Sequence, residues 1–313
     1  MKEKMFSVAE TFGINVPKEI MVKGFEDEGS PFVPEDNPHY IFRTDLLSDI
    51  LAWFMGAETL GDGLFLGGPT GCGKSTLLLQ ICARLNIPVQ RVIGHARLEV
   101  ECLLGQLTLV DGDMIWMDGP LTTAARYGHL FLLDEQDLVD PGQLAGLNAV
   151  LEGSPLTLPG NAGEVVKLHK NFRFAATGNS NGAGDETGLY QGVLRQNLAF
   201  MDRFTVVKVG YPEPQVEAEI LAKQAHHLPD LIREKMIELA NEVRKLFTSP
   251  EGLDVTFSTR TLLRWAFLLS LARNKPEPLV YSLDRALGNR ASEATQEALR
   301  ELVHRVFGEG MKV

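Results

Sequence analysis

Eight consecutive residues, Gly68-Pro69-Thr70-Gly71-Cys72-Gly73-Lys74-Ser75, fit the pattern G-x-x-x-x-G-K-[ST]. That spacing suits the holding of phosphate. Glycines let the backbone curl until several N–H groups aim at one point, and a helix starting there adds the positive end of its dipole. Lys74 supplies a point charge between the outer phosphates, Ser75 offers its hydroxyl to Mg2+, and Thr76 extends the set into the helix.

Two carboxylates farther along complete a reactive pair. Leu130-Phe131-Leu132-Leu133 runs directly into Asp134-Glu135, a Walker B pattern. Four apolar residues read as a strand buried on both faces, and the C-terminal end of such a strand opens onto the ligand crevice of a parallel sheet. Asp134 then anchors Mg2+, directly or through a water, and Glu135 is the general base or the group that orients the attacking water. Asn179, ending the strand that starts at Phe172, is placed to hydrogen-bond that water or the terminal phosphate. Arg203, in Phe200-Met201-Asp202-Arg203-Phe204, offers a planar cation to a neighbouring subunit's transition state. Arg195 and Arg126 are its rivals, and Arg260, in Ser258-Thr259-Arg260, opens a helix from which it can touch the nucleotide. Taken singly, a turn asparagine or a surface arginine is the commoner reading of each. Their order along the chain is what raises them.

The elements that must position these groups follow from patterning. Gly63–Gly67 reads as a short buried strand before the glycine-rich loop, and Thr76–Leu85 as a helix after it. An amphipathic helix is predicted over Ile41–Met55, a second strand over Val89–Ile93, and mixed signals over Leu103–Gly119, where Gly105, Gly112 and Gly119 interrupt apolar residues. Leu121–Tyr127 reads as a helix, and Pro141–Leu151 as another with Asp140 as N-cap. Leu156–Leu158 and Glu164–Leu168 flank a Pro/Gly/Asn cluster as a β-hairpin, followed by a strand over Phe172–Thr177, a helix near Tyr190–Ala199 and a strand over Phe204–Val209. From Pro212 onward only helical stripes remain, among them Met236, Leu239, Ala240, Val243 and Leu246. Three segments result: an N-terminal extension over 1–40, an α/β nucleotide-binding domain over 41–210 and an all-α lid over 211–313. For the extension, a partly ordered segment that packs on something through its few apolar residues and a floppy tail are both open readings.

Composition narrows the function classes. With 313 residues, 44% hydrophobic and 23% charged, the chain suits a globular protein of two domains. It shows no membrane-spanning run and its start has no signal-peptide block, so a cytoplasmic location is expected. The net charge of −11 and the lack of a basic stripe disfavour a sequence-independent grip on nucleic acid. Three cysteines without a close pair argue for reduced thiols, with Cys72 sensitive to oxidation through its place in the loop. No metal-ligand spacing is present beyond the oxygen donors for Mg2+.

Phosphate loop, Walker B pair, hairpin, Asn-ended strand, Asp-Arg-Phe arginine and helical lid, in that order, resemble the AAA+ ATPases. The hairpin before the Asn179 strand and the stretch from Leu104 to Glu135 are similar to the MoxR branch. Tyr40-Ile41-Phe42 and Ser258-Thr259-Arg260-Thr261 resemble the AAA+ subunit of the aerobic, cobalt-inserting chelatases (CobS-like). The resemblance implies an ATP-hydrolysing ring, six subunits by expectation, with Arg203 acting in trans, Asn179 as sensor 1 and Arg260 as sensor 2. It also implies a partner with a von Willebrand A-type (VWA) domain, and a client complex that is remodelled or activated, with metal insertion as one such task. Cys72 in the loop and His129 before the Walker B strand depart from the usual pattern. A nucleic-acid-directed NTPase of a restriction or mobile-element system shares much of this motif order and is the alternative function. A nucleotide-gated scaffold with little turnover is a third.

Overall fold

A computed structural model describes residues 1–180, 182, 184, 192–249 and 252–308, without the side chains of 57–60. The chain falls into two units: Met1–Asn37, Thr44–Pro69 and Lys74–Val209 form the first, and Pro38–Arg43, Thr70–Gly73 and Gly210–Val313 the second.

The first unit opens with antiparallel strands β1 (Glu3–Ser7) and β2 (Met21–Phe25), joined through the short helix α1 (Val8–Phe12). The N-terminal segment is packed rather than a floppy tail. Phe25 donates its N–H to the Leu85 carbonyl at 2.9 Å, Val89 donates to Phe32 at 2.8 Å, and Gln80 exchanges bonds with Glu35 and Asn37 at 3.0 and 2.8 Å. Next come α2 (Thr44–Leu60), β3 (Gly63–Gly67), α3 (Lys74–Arg84), β4 (Val89–Ile93) and α4 (Val100–Leu104). The helix expected from Ile41 begins at Thr44.

The mixed stretch Leu103–Gly119 resolves into an antiparallel hairpin, β5 (Gly105–Val110) with β6 (Asp113–Asp118). Its turn is Asp111-Gly112, both with positive φ (50° and 95°), the combination a tight two-residue hairpin turn requires. Most of its apolar residues, including Leu109 and Met114, are exposed. Then follow α5 (Pro120–Tyr127), β7 (Leu130–Asp134), α6 (Pro141–Ala145) and α7 (Asn148–Leu151). The single helix expected over Pro141–Leu151 is thus broken. Asp140 caps its start, accepting from Gly142 N–H at 2.7 Å, but Gly146, a poor helix former, pairs with Gln143 three residues back and the run restarts after Leu147.

A second hairpin, β8 (Leu156–Leu158) with β9 (Glu164–Val166), precedes β10 (Arg173–Gly178). The helix expected near Tyr190–Ala199 lies partly outside the described residues; 193–197 are irregular and α8 covers Leu198–Met201, started by the Asn197 side chain on Ala199 N–H at 2.9 Å. β11 (Phe204–Lys208) ends the core.

Five strands make one parallel sheet in the order β11-β3-β10-β7-β4. All residues of β3 and β7 are buried, which is why both read as unbroken apolar runs. One face carries a seam of aromatic rings: Phe131 and Phe174 have centroids 5.1 Å apart, Phe174 and Phe204 5.8 Å, Phe200 and Phe204 5.2 Å. The three strands whose ends carry the candidate site residues, β3, β7 and β10, are the three at the middle of this order.

The second unit is helical: α9 (Pro214–Gln224), α10 (Asp230–Phe247), α11 (Thr259–Leu271), α12 (Pro278–Ala286) and α13 (Glu293–Phe307). Met236, Leu239, Ala240 and Val243 are buried as their spacing requires, whereas Leu246, at the end of that stripe, is exposed. Trp265 is fully buried, and its indole N–H bonds the Leu279 carbonyl and the Ser282 hydroxyl at 3.2 and 3.0 Å. A charged pair lies within the same interior. Arg244 grips both oxygens of Glu217 at 2.8 and 2.6 Å and donates to the Phe257 carbonyl at 2.7 Å.

Candidate nucleotide site

Gly68 has no room for a side chain, since a Cβ there would stand 2.0 Å from the Val209 carbonyl oxygen. Gly73, at φ 98°, uses the left-handed freedom that lets the loop turn its N–H groups inward. Lys74 is 8% exposed and folded back over the loop, its ammonium donating to the carbonyls of Gly68 and Pro69 at 2.7 and 3.0 Å and to Asn179 Oδ1 at 3.1 Å. Lysine and asparagine are brought together although 105 residues apart, because β3 and β10 are neighbours and Gly67 pairs with Gly178. Ser75 is half-buried and Thr76 exposed on the first turn of α3.

Asp134 is buried at the end of β7 and is the hub of the site. Its Oδ1 accepts from the hydroxyls of Ser75 and Thr177, each at 2.5 Å, and its Oδ2 pairs with the Arg91 guanidinium, whose Nε lies at 3.1 Å. Burial presses the carboxyl upward, but the hydroxyl bonds and Arg91 outweigh it and hold Asp134 below the ordinary carboxylate range. A hydroxyl and a carboxylate meeting at one point are the hard-oxygen donors Mg2+ takes, so Ser75 and Asp134 fit that ion. Glu135 is exposed and sits at φ 58°, a left-handed conformation costing a non-glycine residue about 1–3 kcal/mol. Its backbone N–H is fixed on Thr177 Oγ1 at 3.0 Å.

Sequence reasoning missed Thr177, Arg91 and Asp137. Thr177 lies two residues before Asn179, and parallel register brings Ala176 beside Leu133, so the next residue of each strand meets at one edge. Arg91 sits two residues from the end of β4, whose Ile93 lies beside Asp134. Asp137, three residues after Asp134, is completely buried.

The arginines separate. Arg203 precedes β11, and its carbonyl accepts from Gly63 N–H at 2.9 Å, at the start of β3. The phosphate loop leaves the other end of that five-residue strand, about 16 Å away at ~3.3 Å per residue. Arg203 pairs with Glu152, Nε to Oε1 at 2.9 Å. Arg126 is committed to Asp118 at 2.8 Å and Glu164 at 2.9 Å, which ties β6 to β9. Arg195 is exposed, with no side-chain pairing among the described residues. Arg260 belongs to the second unit, exposed on the first turn of α11, whose N-cap Ser258 accepts from Thr261 N–H at 3.1 Å. None of the three cysteines forms a disulfide; Cys72 and Cys82 are buried and Cys102 is exposed. Among the described residues no helix is long and apolar enough to cross a membrane.

This sheet order, with a lysine-bearing loop at one strand end and an aspartate–glutamate pair at another, defines a P-loop ATPase of the AAA+ class. Comparison with known proteins narrows it. The AAA domain of the dynein-related subfamily matches residues 63–204, and the CbbQ/NirQ/NorQ C-terminal domain matches 217–306. The aerobic cobaltochelatase subunit CobS of Sinorhizobium sp is 30% identical over 321 residues, covering 100% of this chain and 93% of that protein. Protein NorQ of Paracoccus denitrificans is 27% identical, over 87% of this chain and 95% of its own length. Protein CbbQ of Hydrogenophilus thermoluteolus is 29% identical, over 64% and 71%. A single-substitution variant of RuvB from Thermotoga maritima shares the fold, with a TM-score of 0.52 at 13% identity, over 90% of this chain and 76% of that one. The chain belongs to the MoxR-like group of AAA+ ATPases, the CbbQ/NorQ/CobS type; it binds nucleotide and hydrolyses ATP.

Proposed function

We propose that this ATPase is the motor of a homo-oligomeric ring, a hexamer, that uses ATP to remodel or activate a partner complex, working with a VWA-domain protein in the cytoplasm. The observation that carries the reading is the convergence of Lys74, Ser75, Asp134 and Asn179 from three strand ends on one edge of the sheet. Phosphoryl transfer to water needs positioning and charge more than covalent chemistry, and these groups supply both. Residues 68–76 hold the phosphates, and Lys74 exchanges its loop carbonyls and Asn179 for phosphate oxygens. Ser75 and Asp134 hold Mg2+, which when bound neutralises charge on the outer phosphates. Glu135, carried on a strained turn at the mouth of the site, orients the attacking water and accepts its proton, while Asn179 fixes the terminal phosphate. Arg260 contacts the nucleotide as the lid residue.

Arg203 acts on the next subunit's nucleotide. Support comes from its place at the opposite end of β3, out of reach of its own phosphate loop. The client is proposed to be a metal-handling enzyme complex, with metal insertion as its task, on the strength of the full-length similarity to a cobaltochelatase subunit. The test is to hold Glu135→Gln in ATP and identify what co-purifies from native lysate. A VWA-domain protein together with a chelatase subunit or a metalloenzyme is the expected catch. A nuclease or a DNA-bound complex would replace this reading with a nucleic-acid-directed one.

A further inference from the structure

Asp137 lies in the short turn Gln136–Leu138 that follows the strained Glu135. No part of it is exposed. Its Oδ2 accepts the backbone N–H of Asn179 at 2.6 Å and that of Ser180 at 3.1 Å. Its own carbonyl accepts from Leu194 N–H at 2.7 Å, so the turn is anchored on both sides. Oδ1 is buried and has no hydrogen-bond partner among the described residues. Burial pushes the carboxyl above its usual range, against the two N–H bonds and the nearby charge of Lys74.

A buried carboxylate with one oxygen unsatisfied is costly, and any simple cap of a strand end can be built more cheaply from a serine or a carbonyl. What this carboxylate does that a cheaper group cannot is join two catalytic elements. Two consecutive N–H groups converging on one charged oxygen fix the orientation of the peptide that carries the Asn179 amide, and bonds to a charged acceptor are about twice as strong as neutral ones. The same residue is two positions from Glu135. Gly178 leaves little slack, because a Cβ there would stand 3.2 Å from Asp137 Oδ2 and 2.7 Å from Phe65.

We infer that Asp137 is the positioning residue of the site: it locks the turn carrying Glu135 to the end of β10, so that Glu135 and the Asn179 amide keep one spacing while ATP is hydrolysed. The inference rests on the proposed role of Asn179 at the terminal phosphate. Asp137 touches no reacting atom and acts through Asn179.

The experiment is a double-mutant cycle on the full chain with Asp137→Ala and Asn179→Ala, reading kcat, ATP Kd and thermal midpoint for each variant. Asp137→Ala should lower kcat about 10–100-fold, the scale of a small misplacement in a catalytic group, and leave Kd within about threefold. The double variant should be no slower than the slower single, because the second change removes a group already displaced. Asp137→Asn, whose amide oxygen can accept both N–H groups though without the charge, should recover part of the turnover lost in Asp137→Ala. Losses that multiply in the double variant would overturn the inference, as would an Asn variant as slow as Ala, or a Kd that weakens as much as kcat falls. Should Asp137→Ala not fold, Asp137→Glu keeps the charge, shifts it by one methylene and runs through the same cycle with the same two outcomes. An unchanged kcat in Asn179→Ala would remove the proposed role of Asn179 itself. A slow Asn179→Ala beside a fast Asp137→Ala would remove only the inference.

Discussion

In the proposed mechanism Lys74 and Glu135 divide the work of the site between binding and turnover, and single substitutions should separate them. Lys74 is packed against two loop carbonyls and Asn179, so Lys74→Ala removes the charge the phosphates need and should abolish nucleotide binding in a titration with a fluorescent ATP analogue. Glu135→Gln keeps size and turn geometry but not basicity. It should bind ATP with near-normal affinity while kcat falls on the order of 10²–10⁴-fold, the usual contribution of a general base; hydrolysis faster than that of the unmodified chain would take the role from Glu135. Arg203→Ala should cost about 10³-fold or more in rate. Mixed with Lys74→Ala subunits it should regain activity, since one partner contributes an intact loop and the other an intact arginine. Assembled mixtures that stay inactive would refute action in trans.

At the scale of elements, the site depends on the ends of β3, β7 and β10 being level, and the residues just before β7 set where that strand begins. His129 stands there, 8% exposed, its Nδ1 3.1 Å from the Gln90 amide and its ring near Phe32 and Tyr127. Burial, with His169 close by, holds its pKa below the ordinary 6.5, and burial does the same to His169. The unfolded chain therefore binds more protons than the folded one just below pH 6.5. Both rings favour the folded state fully above that value, and the contribution is lost as pH falls through the window toward the folded pKa values. The thermal midpoint should drop between about pH 6.5 and pH 5, more steeply than in a His129→Gln, His169→Gln double variant. Equal slopes in differential scanning fluorimetry would show that these imidazoles carry none of the pH dependence.

At the scale of the whole molecule, the helical unit has its own interior and its own weak point. Glu217 and Arg244 are 0% and 9% exposed as side chains, joined by two bonds, with Thr259 adding a third to Glu217 at 3.0 Å. Removing one partner strands a buried charge, so Glu217→Ala should destabilise by about 3–5 kcal/mol, measured by urea unfolding. A Glu217→Gln, Arg244→Met pair should be far milder, since no charge is left behind. A cost under 1 kcal/mol for Glu217→Ala would mean that water reaches the pair.

The sequence by itself determined what local chemistry can write. The phosphate loop between strand and helix, the apolar run into Asp134-Glu135, the Asp140 cap and the helical stripes of the second unit each need only residues within a few turns of one another. The hairpin at Leu103–Gly119 went unread, because three glycines obscured its alternation, although Asp111-Gly112 between apolar residues was the signal for it. Only the tertiary structure decided the rest. Thr177 and Arg91 meet Asp134 across strands 43 residues distant in the chain, and Asp137 reaches Asn179 over 42. Strand order β11-β3-β10-β7-β4 makes those meetings, and it also sends Arg203 to the far end of β3. Spacing along a chain records which groups are present; strand order and register, set by which buried strands pair edge to edge through backbone hydrogen bonds, determine which groups share an edge.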